Sequence, residues 1–257
     1  MQTVRFQDGD SAPQFGVLDG DQIHPLPDAP WFGMGMVGKP IPLAVVKLLA
    51  PIAPQRIFCV GLNYRAHAAE MKLDLPTRPM LFTKPSTTVV GPDSIIEYPH
   101  EAEIVHHEAE LAVIIGTAGR RIPVESALDH VFGYTAANDV SERVIQKAEM
   151  ASGALLICKG YDSFCPLGPV IETELDPSGL DIRCRVNGQI RQDSNTSDFI
   201  FTVPQIIADI SAAITLLPGD VILTGTPEGV GPISPGDNVE IEIAGIGVLQ
   251  NRVVAEF

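Results

Sequence analysis

Cysteine, basic residues and long apolar runs are all scarce in this chain. Its four cysteines, Cys59, Cys158, Cys165 and Cys184, share no C-x-x-C spacing. That excludes a zinc–thiolate ribbon and fits reduced thiols better than a disulfide framework. Only 17 lysines and arginines stand against 32 aspartates and glutamates, a net charge of −15. So acidic a balance argues against nucleic acid, an anionic membrane surface or any polyanion as the main partner. A small anionic ligand is still compatible, provided that its site is locally positive or holds a metal. No stretch approaches the run of about 18 apolar residues that a membrane-spanning helix needs. The first residues, MQTVRFQDGD, have no apolar signal core, so a cytoplasmic location is expected. Also missing are G-x-x-x-x-G-K-[ST], G-x-G-x-x-G and G-x-S-x-G. Their absence weakens a nucleotide-binding reading and argues against a serine hydrolase of the α/β type.

What is present is a chain of 257 residues, 45% apolar and 19% charged, enough for one large domain or a domain with a small appendage. Two D-G-D turns, at Asp8-Gly9-Asp10 and Asp19-Gly20-Asp21, separate short apolar segments, which is hairpin chemistry. Residues 25–42 are rich in proline and glycine and read as a connector. The expected division is a small β-rich domain over 1–51 and a catalytic domain over 52–257.

The second part is organised around HHEAELAVIIG, residues 106–116, which reads as a buried strand. Glu108 and Glu110 would share one face of it, since side chains two apart on a strand point the same way. Two like charges at the mouth of an apolar strand repel, and burial penalises both. A divalent cation would remove both problems; two exposed glutamates at a solvated strand end are the plainer alternative.

Around this segment, RIFCVG (56–61) and MLFTKP (80–85) read as strands, with a short helix at the start of NYRAHAAEM (63–71) between them. PVESALDHV (123–131) reads as a helix with Pro123 at its first position. FGYTAAND (132–139) rises as a strand to Asp139, and VSERVIQKAEM (140–150) continues as a polar helix. LLICKG (155–160) reads as an apolar strand ending near Lys159. LDIRCRVNGQIRQ (180–192) is a hairpin, with Ile182, Cys184 and Val186 alternating with arginines up to an Asn-Gly turn. VPQIIADISAAITLL (203–217) is the best helix, apolar at Ile206, Ile207, Ile210 and Ile214. About ten or more strands and a few helices make an α+β fold that is predominantly β.

Charged residues thus end three apolar runs: Glu108 with Glu110, then Asp139, then Lys159. Singly, each is more often a surface group. Together they offer three hard oxygen ligands and a cation, a site of the Mg²⁺ or Mn²⁺ kind. With no H-x-x-x-H pair and no usable thiolates, zinc is disfavoured. His107 points to the opposite strand face and reads as structural; His106 points with the glutamates. His67 and Glu70, three apart on a helix, form a general-base dyad if the carboxylate orients the imidazole, or else a solvated pair. The glycines of GTPEGVGP (225–232) allow close backbone approach to a ligand.

GLNYRAHAAEM, MLFTKPST, HHEAELAVIIG, YTAANDVSERVIQ, LICKGYDSFCPLGP, VNGQIRQDSNTSDFIF and LLPGDVILTGTPEGVGP occur in that order. Together with DNVEIEIAGIG they resemble the fumarylacetoacetate hydrolase family over about residues 55–255, most closely its acylpyruvase and oxaloacetate decarboxylase branch. The resemblance implies a mixed β-roll, assembled as a homodimer. It implies Glu108, Glu110 and Asp139 as ligands of Mg²⁺ or Mn²⁺. Arg143, Gln146 and Thr226 would contact the substrate, and Lys159 would polarise one of its oxygens. His67 and Glu70 match an H-x-x-E dyad carried on a lid. The expected reaction is C–C hydrolysis of a 2,4-dioxo acid such as an acylpyruvate. The same motifs admit oxaloacetate decarboxylation or isomerisation of the 2-hydroxyhepta-2,4-diene-1,7-dioate type. A non-catalytic metabolite-binding homologue is the reading from another class.

Overall fold

The computed structural model describes residues 1–256. Strand Ala109–Ile115 lies at its centre, with all seven residues buried. Leu111, Val113 and Ile115 enter one core cluster, while Ala112 and Ile114 enter a second on the opposite face. A strand covered on both faces has no solvated side, which is why this run does not alternate in hydrophobicity.

The strand pairs antiparallel with Val131–Asn138 on one side and Val221–Leu223 on the other. Beyond Val221–Leu223 the large sheet continues through Ile57–Gly61 to Met80–Lys84. In the other direction it runs through Cys165–Glu172 to Gln2–Gln7, Gln14–Asp19, Gln22–Leu26 and Ile41–Pro42. The N-terminal hairpins therefore extend the same sheet, joined by the pairing of Gln2 with Glu172 and Thr3 with Ile171. A second sheet orders Gln189–Asn195, Asp181–Val186, Asn238–Ile243, Gly247–Ala255 and Ile95–Tyr98. Its first hairpin turns at Asn187 and Gly188, whose φ values of 53° and 75° suit a type I′ turn. Four α-helices among the described residues decorate the sheets: α1 (Arg65–Glu70), α2 (Arg143–Ala151), α3 (Ile157–Gly160) and α4 (Val203–Ala213). The α+β, predominantly β class is what the alternation and turn pattern lead one to expect. No helix among the described residues is long and apolar enough to cross a membrane.

Four elements depart from the sequence reading. The segment 106–116 is two strands rather than one, because Val105–His107 belongs to a small separate sheet with Ser141–Glu142 and Gly231–Pro232. The stretch after Pro123 forms a 3₁₀ helix, Val124–His130, with Pro123 preceding it rather than opening it. Ser126 directs both its N–H and its hydroxyl at the Pro123 carbonyl, a tight local pairing that competes with α-helical bonding. α4 stops at Ala213, short of Leu217, because Gly119 and Leu216 exchange backbone hydrogen bonds of 3.0 and 2.8 Å and pull the chain into extended form. Lys159 sits on α3 instead of a strand. The Glu149 carboxylate accepts from the N–H groups of Leu156, Ile157 and Cys158, capping a helical turn that apolar content alone does not reveal.

All four cysteines are free and buried. Burial pushes the thiols of Cys158, Cys165 and Cys184 up to about 12, and that of Cys59 well above its ordinary value. Thiolate is the reactive form, so none of them should react. A chromogenic disulfide reagent should label no thiol in the native protein within minutes and all four cysteines after unfolding.

Candidate active site

The break between Val105–His107 and Ala109–Ile115 falls on Glu108. Hydrogen bonding makes it: the Glu108 N–H donates to Asn138 Oδ1 at 2.9 Å, and the Asp139 N–H donates to the Glu108 carbonyl at 2.9 Å. Glu110 lies one residue into the central strand, and Asp139 directly follows the strand that ends at Asn138. Adjacent antiparallel strands thus bring their opposite termini together. Glu108, Glu110 and Asp139 are each at most 6% exposed, and each has a carboxylate oxygen within 4.8 Å of the others.

Three cations surround this cluster. Lys159 Nζ donates to Glu108 Oε2 at 2.7 Å and to Asp139 Oδ2 at 2.6 Å, and lies 5.1 Å from the Phe82 ring centroid. Arg143 donates to Glu108 Oε1 at 2.7 Å and to Gln146 Oε1 at 2.7 Å. Lys84 Nζ donates to Asp139 Oδ1 at 2.6 Å. Burial alone would raise the Glu108 carboxyl, but Lys159 and Arg143 outweigh it and hold the group well below the usual range. Burial alone would lower Lys159, but Asp139 and Glu108 outweigh it, so the ammonium is strongly favoured.

Glu110 differs from its two neighbours. It accepts from the Gly225 N–H at 2.7 Å but has no ion-pair partner among the described residues. Burial, then the Asp139 and Glu108 charges, push its carboxyl well above the ordinary range. A buried carboxylate left without a cation, beside two others, is what a divalent ion would satisfy. The donors are hard oxygens, and each keeps a lone pair beside its hydrogen bond. The three residues fit Mg²⁺ or Mn²⁺.

A cavity of about 390 Å³ opens onto the cluster. His67, Arg143, Gln146, Lys159 and Thr226 all line it, so the sequence-selected residues other than Glu70 meet in one space. Glu70 adjoins it through His67: their Nδ1 and Oε2 lie 3.0 Å apart on α1. A carboxylate only accepts, so Nδ1 carries the hydrogen, and the neutral form of the ring has its lone pair on Nε2. Glu70 also accepts from the Gly229 N–H at 3.2 Å. Buried Tyr64 and Ala68 anchor the helix, and Arg65 bonds the Phe199 carbonyl. His106 lines the cavity while His107 does not; His107 Nδ1 instead meets Gln192 Oε1 at 3.1 Å.

Residues 56–254 match the family model described as fumarylacetoacetate (FAA) hydrolase C-terminal, and residues 1–51 match one described as Rv2993c-like, N-terminal. The chain belongs to the fumarylacetoacetate hydrolase family. It is 45% identical over 220 residues to the mitochondrial oxaloacetate tautomerase fahd2 of Xenopus laevis, covering 81% of this chain and 69% of that one. The crystal structure of 5-carboxymethyl-2-hydroxymuconate delta-isomerase from Mycobacterium smegmatis shares 43% identity over the whole of both chains, with a TM-score of 0.93. The fumarylacetoacetate hydrolase of psychrophilic Exiguobacterium antarcticum shares 38% identity, again over both whole chains, with a TM-score of 0.88. The chain is an enzyme of this family, whose members named here carry out tautomerisation, isomerisation and hydrolysis.

Two residues of this site escape the sequence reading. Lys84 ends the MLFTKP strand, and its side chain is fully buried against Asp139. A lysine closing an apolar run is the same signal that marks Lys159, and it applies equally well here. Gln192 gives no such signal, lying within a polar strand, yet it is 1% exposed. Its Oε1 accepts from the Ala109 N–H at 3.0 Å, which fixes the amide orientation. Its Nε2 then donates to the Pro227 carbonyl at 2.9 Å and to Thr226 Oγ1 at 2.8 Å. Thr226 therefore accepts from Gln192 and keeps its own hydrogen for another acceptor. Replacing the amide leaves several buried polar groups unpaired, at roughly 1–3 kcal/mol each. Gln192→Leu should lower unfolding free energy by about 3 kcal/mol or more, read as a reduced midpoint in chemical denaturation; an unchanged midpoint would show that the network holds nothing together.

Proposed function

We propose that this chain is a divalent-metal-dependent hydrolase that cleaves a C–C bond of a small 2,4-dioxo acid of the acylpyruvate type. The observation that carries the reading is the His67 imidazole, oriented by Glu70 and lining the same cavity as the Glu108, Glu110 and Asp139 cluster. A site that only bound its ligand would need no such base. A divalent cation held by the three carboxylates would supply Lewis-acid polarisation of the 2-oxo end of the substrate.

The residues of the chain then divide the remaining work. Arg143, Gln146 and the Thr226 hydroxyl, as donors, orient the substrate carboxylate. His67 Nε2 takes a proton from water, and Glu70 steadies the imidazolium that forms. Hydroxide adds to the 4-oxo carbon, the C3–C4 bond breaks, and its electron pair passes to C3 as the pyruvate enolate. Lys159 uses two N–H groups on Glu108 and Asp139, so its third is available to the enolate charge. Returning the proton to C3 completes the balance: acylpyruvate and water give a carboxylic acid and pyruvate.

A second reading rests on the names of the relatives, among them a tautomerase and an isomerase. Moving a proton between C3 and the 2-oxo oxygen needs the same dyad and the same enolate stabilisation, but no water. Product analysis separates the two. Incubation with acetylpyruvate and Mg²⁺ should release pyruvate and acetate in equal amounts. His67→Ala should reduce that turnover by about 10²-fold or more, the scale for a positioned general base. Enol–keto interconversion of a 2-oxo acid without acetate release would favour the second reading, and undiminished cleavage by His67→Ala would remove the dyad from the mechanism.

A further inference from the structure

Gln146, Arg143, Glu108, Lys159 and Asp139 line the cavity as one hydrogen-bonded cluster, its polar end. Among the described residues, Arg143 and Lys159 are the only lysine or arginine side chains lining it, and both are bonded to Glu108. The rest of the lining is largely apolar, including Met71, Leu73, Met80, Phe82, Met150 and Leu155. Three of the six methionines in the chain are in that wall. Methionine is unbranched and polarisable, and lines sites that accommodate apolar groups of varied shape. Met71, Leu73 and Met150 are 54%, 51% and 52% exposed, so the wall follows α1 and ends α2 with apolar side chains half in water. An apolar group placed there would remove that exposure.

We propose, building on the acylpyruvate reading above, that the arm beyond the 4-oxo carbon is an uncharged alkyl or aryl chain, so that the preferred substrate carries one carboxylate only. Once its carboxylate and 2-oxo end occupy the polar end, the arm runs along the methionine and leucine wall. A second carboxylate there, as in fumarylpyruvate, would lose part of its water without meeting a further cation among the lining residues. Each methylene laid on the wall contributes about 0.8 kcal/mol, close to fourfold in binding.

Binding of N-alkyl oxamates tests this without requiring turnover. In the presence of Mg²⁺, calorimetry should show Kd falling by up to about fourfold per methylene from N-methyl to N-butyl oxamate. N-(3-carboxypropyl) oxamate, with a carboxylate at the tip of a similar arm, should bind at least about 30-fold more weakly than N-butyl oxamate. Met150→Lys should narrow or invert that ratio by supplying the missing cation, and the same order should appear in kcat/KM for alkanoylpyruvates against a carboxyalkanoyl analogue. Equal or tighter binding of the carboxylate arm, with the short oxamate still bound, overturns this inference and leaves the acylpyruvate reading standing. Failure of every oxamate to bind and of acetylpyruvate to react overturns both.

Discussion

Three carboxylates buried within 4.8 Å of one another are the constraint to which the rest of the molecule answers. Buried like charges are tolerated only with counter-charges close by and every oxygen hydrogen-bonded. The fold meets that demand from distant parts of the chain. Arg143 comes from the first turn of α2, Lys159 from α3 and Lys84 from the strand two places beyond Val221–Leu223 in the large sheet. Among the described residues Glu110 receives no cation, only the Gly225 N–H. The arrangement is complete for Glu108 and Asp139 and open at Glu110, which is why a divalent ion belongs to the account.

The geometry also explains how one family accommodates several reactions. Hydrolysis of an acylpyruvate, tautomerisation of a 2-oxo acid and decarboxylation of oxaloacetate all pass through an enolate next to a carboxylate. A site that fixes that carboxylate and stabilises that enolate is common to them; what differs is whether water has access to a carbonyl carbon and what the far arm of the substrate carries. In the proposed reading the first depends on the His67–Glu70 pair on α1, and the second on the apolar wall.

Much of this architecture is legible in the amino-acid sequence. The apolar run from Leu111, with Glu108 and Glu110 before it, marks both the central strand and two of the three acidic groups. Alternation around Asn187-Gly188 points to the hairpin of the second sheet, and i, i+3 spacing places His67 with Glu70 and Arg143 with Gln146. Where sequence reading falls short, long-range contacts decide the outcome. The bond from Glu108 to Asn138 splits one apparent strand in two; the Glu149 cap turns an apolar run into the helix that carries Lys159. Gln192 is conspicuous only through partners at positions 107, 109, 226 and 227, none of them near it in the chain. Such contacts leave no local periodicity to detect.

The claim on which the account turns is that Glu110 completes a divalent-cation site with Glu108 and Asp139. Titration of metal-free protein with Mn²⁺, followed by electron paramagnetic resonance of the free ion, measures it directly. The account predicts one tightly bound ion per chain, displaced by excess Mg²⁺, and loss of that ion in a folded Glu110→Ala variant. Binding unchanged in Glu110→Ala, or no binding by the folded wild-type chain, would contradict it.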